Sequence, residues 1–411
     1  MRTAREALQS IWGYPDFRAS QRGVVSAAIA NRDVLALLPT GGGKSICFQA
    51  PALVSHGVTI VVSPLISLMQ DQVAALERRG VAAAMLSSSQ TPREQRDVWD
   101  RLTTNRLTLL YLSPERLAHL VARRGQFRLA RLAVDEAHCI SEWGHEFRPH
   151  YRDIGRHRQA LGHPPTIAVT ATATPDTRED IVRVLGLRDP VRVTMSFDRP
   201  NLHFAVRRCR DVADRLRRAL ALIRDVGQGS VVVYVPTRNQ TDGVTALLRR
   251  RRIRAEPYHG ALPADERSRI LEAFVGGRVS VVVATNAFGM GIDKPDVRRV
   301  IHLGLPTRPE AYYQEAGRAG RDGGPSECIL LWLREDLRLA KTIAGLAGPR
   351  RASRSPARHK AVSRAVAAMR RYVKTWRCRR RVLLAYLGEA DASCAGCDRC
   401  GPAGFLTSSR Q

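Results

Sequence analysis

With 411 residues, 44% of them apolar, the chain is long enough for about two or three domains and can fill their cores, which excludes a disordered or low-complexity protein. Lys and Arg number 66 against 38 Asp and Glu, a formal net charge of +28, so the first partner to expect carries dense negative charge, nucleic acid ahead of a ribosomal or membrane-surface role. The opening MRTAREALQSIWGYPDF lacks the apolar segment of a signal peptide, and no stretch reaches the ~18 apolar residues of a membrane span; the expectation is a cytosolic, nucleoid-associated protein of bacterial type with no membrane partner.

In chain order, the first apolar run is Val34 to Leu38, and PTGGGKS (39–45) follows it directly, ahead of a helical pattern. Glycines allow backbone N–H groups to converge on phosphate, so Thr40, Gly41, Gly42 and Gly43 form a phosphate cradle; Lys44 reaches the terminal phosphates and the Ser45 hydroxyl can hold Mg²⁺. The general G-x-x-x-x-G-K-[ST] pattern wants Gly at position 38, where this chain has Leu38, so the flanking strand and helix carry the reading. Further runs at Val58 to Val62, Leu107 to Leu112, Leu132 to Val134 and Ile167 to Val169 each lead through a polar turn into a helical pattern, the signature of a parallel sheet with helices on both faces.

The stretch AVDEAHCISEWGHEFRPHY (133–151) packs four carboxylates, three histidines and three aromatics into one short span. It is not a zinc hydrolase motif, because His150 lies five residues from His145 rather than the four a helix requires, and Pro149 would break that helix. Gly144 and Pro149 also argue against a regular amphipathic helix presenting Trp143, Phe147 and Tyr151. An acid pair at the tip of a buried strand remains: Asp135 can hold Mg²⁺ through its water shell and Glu136 can activate the attacking water. Together with the cradle this implies hydrolysis of a nucleoside triphosphate.

MSFDRPNLHF (195–204) has a Pro-Asn turn signal and no clear period, which places a boundary near residue 200. The strand rhythm then repeats at Val231 to Val235, Val279 to Ala284, Val297 to His302 and Cys328 to Leu333. In YYQEAGRAGRDG (312–323), Gln314 precedes Arg318 and Arg321, which on one helix turn can reach a γ-phosphate as arginine fingers. GLAGPRRASRSPA (345–357) reads as a loop, and residues 360 to 387 read as helical and strongly basic, with Arg370, Arg371, Lys374 and Arg377. Cys378, Cys394, Cys397 and Cys400 then supply four thiolates, a closed structural Zn²⁺ set, whereas Cys47 and Cys139 read as small packed residues.

Taken together, DEAH (135–138), GGGKS, TAT (170–172) and QEAGRAGRDG resemble a superfamily 2 helicase. GYPDFRASQ (13–21), HCISEWGHEFRPHY (138–151) and the terminal cysteines narrow the resemblance to the RecQ family, over residues 8 to 403. The resemblance implies an α/β fold of two tandem RecA-like parallel-sheet lobes of the P-loop NTPase kind plus a small helical zinc-binding module, divided as 1–200, 201–345 and 346–411. It implies that Tyr14 stacks on adenine, Gln21 bonds its edge and Arg18 supports the pocket, that His138 belongs to the catalytic set, and that Asp293 lies near the ribose. Gln70 with SPLISLMQDQ (63–72), together with YLSPERL (111–117), would track DNA, while Thr170 and Thr172 would link hydrolysis to lobe closure. YVPTRNQTD (234–242) and ATNAFGMGIDKPDVR (284–298) would grip DNA and ATP in the second lobe.

Trp143, Phe147 and Arg148 would sit against single-stranded DNA, where stacking contributes ~1–3 kcal/mol per base. Glu142 and Glu146 stand where Gln and Asp are expected. The implied activity is ATP-dependent 3′ to 5′ translocation on single-stranded DNA and unwinding of partly duplex DNA in repair and recombination, by a monomer using ATP, Mg²⁺ and Zn²⁺. Because the chain stops 11 residues after Cys400, a short form without the winged-helix and further helical domains is expected, and a translocase or strand annealer that barely unwinds is the alternative.

Overall fold

The computed structural model describes residues 3–39, 41–87, 90–141, 147–227, 229–289, 294–345, 356–390, 393–394 and 396–401, side chains excepted at 356–358. The chain divides into two compact units, Met1–Ser196 and Phe197–Gln411. In the first, β1 (Val34–Leu37), β2 (Val58–Val62), β3 (Ala83–Leu86), β4 (Leu109–Leu112), β5 (Leu129–Val134), β6 (Thr166–Thr170) and β7 (Val191–Thr194) form one sheet in the order β3-β4-β2-β5-β6-β1-β7, every pairing parallel. In the second, β8 (Leu202–Arg208), β9 (Ser230–Tyr234), β10 (Ala255–Tyr258), β11 (Val281–Ala284), β12 (Val297–Leu303) and β13 (Ser326–Trp332) form a parallel sheet in the order β10-β11-β9-β12-β13-β8.

Parallel strands need crossovers, and the intervening helices begin where local chemistry tells them to. Thr3, Thr91, Thr174, Asp211 and Thr237 each accept an N–H from the first turn that follows. Pro149, read above as a helix breaker, opens the helix Pro149–Ala160, where its missing N–H costs nothing. The central strands are apolar throughout because helices cover both sheet faces: β1, β2, β4, β6 and β11 are buried at every position.

The strands that sequence patterning missed are β3, β7, β8 and β10, and these are the four sheet edges. Three of the edges lack the apolar β-branched run for a physical reason. Ala83-Ala84-Met85-Leu86 has low β-propensity, β7 alternates half-buried and exposed residues, and Pro257 in β10 removes a ladder donor that only an edge can spare. Residues 360–387 also differ from expectation: two helices, Pro356–Lys374 and Arg379–Tyr386, replace one, with Cys378 capping the second by accepting from Arg381 N.

A buried ion pair closes the first sheet at its β1 entrance. Asp33 accepts two hydrogen bonds from Arg158 Nη2, both 2.8 Å, and one each from Thr166 N at 2.9 Å and Arg188 N at 2.7 Å. Arg158 donates through Nε to Pro164 O and Thr166 Oγ1, so every element it touches is fixed relative to β1. Because both side chains are buried, removal of one leaves an uncompensated charge. Asp33→Ala is expected to destabilise the first unit by about 3–5 kcal/mol, read as a lowered urea midpoint, with Arg158→Met in the same chain recovering part of it; an unchanged midpoint would show the pair to be dispensable.

Candidate nucleotide site, arginine loop and metal centre

The strand order places the C-terminal ends of β1, β6 and β5 side by side, so that three loops converge there. The loop after β1 carries the glycines and Lys44. Gly43 has φ +74, and a Cβ there would collide with Gln21 Nε2; a Cβ on Gly42 would lie 2.8 Å from Pro39 O. Only glycine satisfies both positions. Gln21, buried at 4% exposure, donates to Gly42 O at 3.1 Å and Gly43 O at 3.3 Å and accepts from Arg18 N, while Arg18 Nη1 donates to Gly41 O at 2.8 Å. Gln21 therefore clamps the glycine loop. Tyr14 is 53% exposed, presenting an aromatic ring to solvent nearby in sequence. Thr40 lies outside the described residues, as do Trp143 and Asp293 and the departures Glu142 and Glu146.

The loops after β5 and β6 supply the acids and their supports. Lys44 Nζ donates to Glu136 Oε1 at 3.1 Å, His138 Nδ1 lies 3.3 Å from Glu136 Oε2 and 2.8 Å from Thr170 Oγ1, and Thr170 Oγ1 donates to Thr172 O at 3.2 Å. One continuous polar line thus runs from the glycine loop through the acid pair to the TAT segment. Glu136 sits at φ 46 and ψ 48, a left-handed conformation that costs a residue other than Gly about 1–3 kcal/mol and is held by its neighbours. Asp135 accepts from Glu136 N, and Tyr151 OH donates to Asp135 O, which fixes the turn from behind.

Electrostatics separates the two carboxyls. Burial raises Asp135, with Glu136's charge adding to it, whereas for Glu136 the opposing pull of burial is overcome by Lys44 and by the His138 hydrogen bond, which hold it well below the usual range. A buried acid pushed up in this way suits a divalent cation, which would relieve that cost; Ser45 Oγ and the Asp135 carboxylate are the kind of hard oxygen donors magnesium takes. Cys47 and Cys139 are fully buried packing residues, and burial pushes the Cys47 thiol up to about 12, away from the reactive thiolate.

Gln70 is exposed on the helix Ile66–Glu77, facing a groove it shares with Met85, Arg93 and Arg101. Phe147 and Arg148 are half-buried, and Arg148 Nη1 donates to Pro64 O at 2.6 Å, joining the end of the aromatic stretch to the start of 63–72. Gln72, two residues beyond Gln70, went unnoticed in the sequence: its Nε2 donates to Ser45 Oγ at 2.9 Å, while Tyr111 OH and Gln49 Nε2 donate to its Oε1.

In the second unit Gln314 lies in the helix Pro309–Ala316, but Arg318 and Arg321 do not share a helix turn, because the helix ends at Ala316 and turns follow. Gly320 is the reason: at φ +54 a Cβ would meet Gly324 O at 2.6 Å and Ser326 Oγ at 2.7 Å, so the chain folds back on itself. Arg199 donates to Ala319 O at 3.0 Å and Gly320 O at 2.6 Å, and Asn201 Nδ2 to Gly320 O at 2.8 Å and Gly324 O at 2.9 Å. Sequence reasoning placed only a boundary near these two residues; they shape the arginine loop.

Arg380 in turn donates to Arg199 O at 2.8 Å and pairs with Asp198, which connects that clamp to the cysteine-bearing end of the chain. There the Sγ atoms of Cys378, Cys394, Cys397 and Cys400 lie within 4.8 Å of one another, the Cys378 and Cys397 pair at 3.9 Å. Four thiols at this spacing fit a tetrahedral zinc ion, whose Zn–S bonds of ~2.3 Å place sulfurs a little under 4 Å apart. Backbone N–H groups of Arg399, Arg379 and Cys400 outweigh burial and pull the Cys397 thiol down to about 7, favouring the thiolate that binds metal. The same knuckle covers the β8 edge: Asp398 N donates to Phe204 O at 3.0 Å, and the Asp398 carboxylate accepts from Val206 N and Arg379 Nε.

Comparison with known proteins agrees with this geometry. Family models described as DEAD/DEAH box helicase, helicase conserved C-terminal domain and RecQ zinc-binding match residues 18–181, 213–323 and 336–401. The ATP-dependent DNA helicase RecQ of Pasteurella multocida is 40% identical over 407 residues, 97% of this chain and 62% of that protein. The probable ATP-dependent DNA helicase RecS of Bacillus subtilis is 41% identical over 347 residues, 84% of this chain and 69% of that protein. This chain therefore spans between six and seven tenths of the length of these relatives. A solved structure of S. cerevisiae Dbp5 bound to RNA and ADP BeF3 matches at TM-score 0.66 and 18% identity, covering 89% of this chain and 98% of that one, a likeness of RecA-like fold. Three family models in order, and relatives of this identity across most of the sequence, show that the chain belongs to the RecQ helicase family.

Proposed function

We propose that the chain is an ATP-dependent DNA helicase that couples hydrolysis to 3′ to 5′ movement along single-stranded DNA and opens partly duplex DNA. The observation that carries the reading is the line Lys44–Glu136–His138–Thr170, which joins a phosphate loop to a water-activating acid and onward to the TAT segment. In this reading Lys44 neutralises the terminal phosphates and Ser45 and Asp135 hold Mg²⁺. Glu136 takes the proton of the attacking water. Lys44 and His138 hold Glu136 at low basicity in the structure; transfer of Lys44 to a phosphate removes the larger restraint, so Glu136 becomes a competent base once nucleotide is seated.

Arg318 and Arg321 supply positive charge to the γ-phosphate, and Gln314 orients their loop. Tyr14 stacks on adenine, and Gln21 and Arg18 report nucleotide to the glycine loop they bond. The DNA strand follows Gln70, Phe147 and Arg148 with Trp143. The basic end of the chain supports the same partner, for no Asp or Glu occurs between Leu337 and Gly388 while Lys and Arg recur throughout. Trp376, 82% exposed with Arg399 4.5 Å above its ring, adds an aromatic surface there.

The test is ATP hydrolysis with and without single-stranded DNA, alongside unwinding of a 3′-tailed duplex; turnover indifferent to DNA would overturn the proposal, and stimulation without unwinding would leave a translocase. Lys44→Ala and Glu136→Gln are each expected to lower turnover by about a thousand-fold while oligonucleotide binding, followed by fluorescence anisotropy, persists. Arg318→Ala is expected to lose at least about a thousand-fold in turnover with ATP affinity, measured by equilibrium binding, nearly retained. Removal of zinc by a chelator is expected to release one ion per chain, uncover the β8 edge and unclamp Arg199, so that the melting temperature and DNA-stimulated hydrolysis fall together; a chelated protein with an unchanged melt would contradict the structural role.

A further inference from the structure

We infer that Gln72 is a positioning residue that fixes the hydrogen-bond polarity of Ser45 and lets the DNA-tracking segments adjust the Mg²⁺ site; this rests on the function proposed above. Three stretches distant in sequence meet behind the Ser45 hydroxyl. Gln49 comes from the helix Ile46–Ala52 that follows the glycine loop, Gln72 from the end of SPLISLMQDQ, and Tyr111 from the start of YLSPERL. Gln72 Oε1 accepts from Tyr111 OH at 2.9 Å and from Gln49 Nε2 at 3.1 Å, Gln49 Nε2 also donates to Tyr111 OH at 2.8 Å, and Gln72 Nε2 donates to Ser45 Oγ at 2.9 Å.

The direction of each bond follows from the donors available. Tyr111 is 1% exposed, and burial keeps its phenol protonated, so it donates to Gln72. With two donors on its oxygen, the Gln72 amide cannot turn over alone, since that would set its own N–H groups against those of Gln49. In this arrangement its nitrogen faces Ser45, whose oxygen accepts. One lone pair of Ser45 is thereby engaged, which leaves the other for a cation and the hydroxyl proton for a phosphate oxygen.

Gln49 at 5% exposure is buried deeply enough that an unmatched amide would be costly. A cavity of about 300 Å³ beside Ser45, lined by Trp12, Ile46, Gln49, Asp71 and Gln72, gives the Gln72 side chain room to withdraw. The 63–72 segment is also held at its other end, where Arg148 Nη1 donates to Pro64 O. A strand of DNA that displaces either 63–72 or 111–117 must move Gln72 or its Tyr111 partner. The Ser45 hydroxyl then loses its fixed orientation or regains it, and Mg²⁺-nucleotide affinity changes with it.

The test compares the full chain with Gln72→Leu, Gln72→Glu and Tyr111→Phe. Equilibrium binding of a fluorescent ADP analogue is titrated with Mg²⁺, with and without a single-stranded oligonucleotide, and DNA-stimulated turnover is measured in parallel. The unsubstituted chain is expected to need less Mg²⁺ for half-maximal nucleotide binding when DNA is present, and both Gln72 variants to lose that shift. Their DNA-stimulated turnover is expected to fall about ten-fold, the worth of one directed hydrogen bond, and to recover at high Mg²⁺, which a merely structural defect would not do. Tyr111→Phe, the gentlest change, is expected to lose part of the shift, and it carries the test should the Gln72 variants fold poorly. Variants with the parent's Mg²⁺ dependence in both conditions would overturn the role of Gln72 and leave the helicase reading standing. A parent whose Mg²⁺ requirement ignores DNA would overturn the coupling even if its turnover responds to DNA, and one whose turnover also ignores DNA would overturn the helicase reading as well.

Discussion

The contact between Lys44 and Glu136 is the constraint around which the first unit is organised. It brings a cation and a carboxylate, both largely withdrawn from water, to within 3.1 Å of each other from loops 92 positions apart in sequence. Such a pair holds only where the backbone is prevented from relaxing, because desolvation of both partners offsets much of their attraction. The parallel sheet provides the restraint. β1 and β5 flank β6, their ends are set by ladder hydrogen bonds, and the Asp33–Arg158 lock fixes the opposite ends of β1 and β6. Glu136 can then be held in a left-handed conformation that an unsupported loop would abandon.

The second unit solves a different problem, for the arginine loop has little apolar surface with which to shape itself. Its carbonyls are gathered by the guanidinium of Arg199 and the amide of Asn201, and that pair is gripped by Arg380 next to a zinc ligand. The result is a relay of charge-assisted hydrogen bonds to backbone oxygens, in which a metal knuckle organises a loop far from it in sequence. The zinc knuckle also occupies the β8 edge, so one small module both protects a sheet edge and stiffens the arginine loop.

How legible this was depended on whether a feature was written locally. Central strands announced themselves because burial on both faces demands unbroken apolar runs, and the glycine loop did so because the φ of Gly43 admits no other residue cheaply. Edge strands did not, since a strand paired on one side must discourage further pairing and so carries proline, alanine or polar residues that blur its signal. The end of the helix at Ala316 was hidden for another reason: the fold-back depends on the fit of Gly320 against Asn201, Gly324 and Ser326, which spacing alone does not reveal.

By itself the sequence determined which chemical groups are present: a phosphate cradle and an acid pair at a strand tip, each written in a short local spacing, together with two arginines and four thiols whose placement the local spacing left open. Tertiary structure alone decided which side chains support them. Gln21 clamping the glycine loop, Gln72 oriented by Gln49 and Tyr111, and Arg199 with Asn201 shaping the arginine loop are hydrogen bonds to partners 21 to 121 positions away. Their donors and acceptors are ordinary polar residues with no motif of their own. What gives them a role is the register of a parallel sheet, which brings distant loops to a common edge and leaves buried polar atoms that must find partners there.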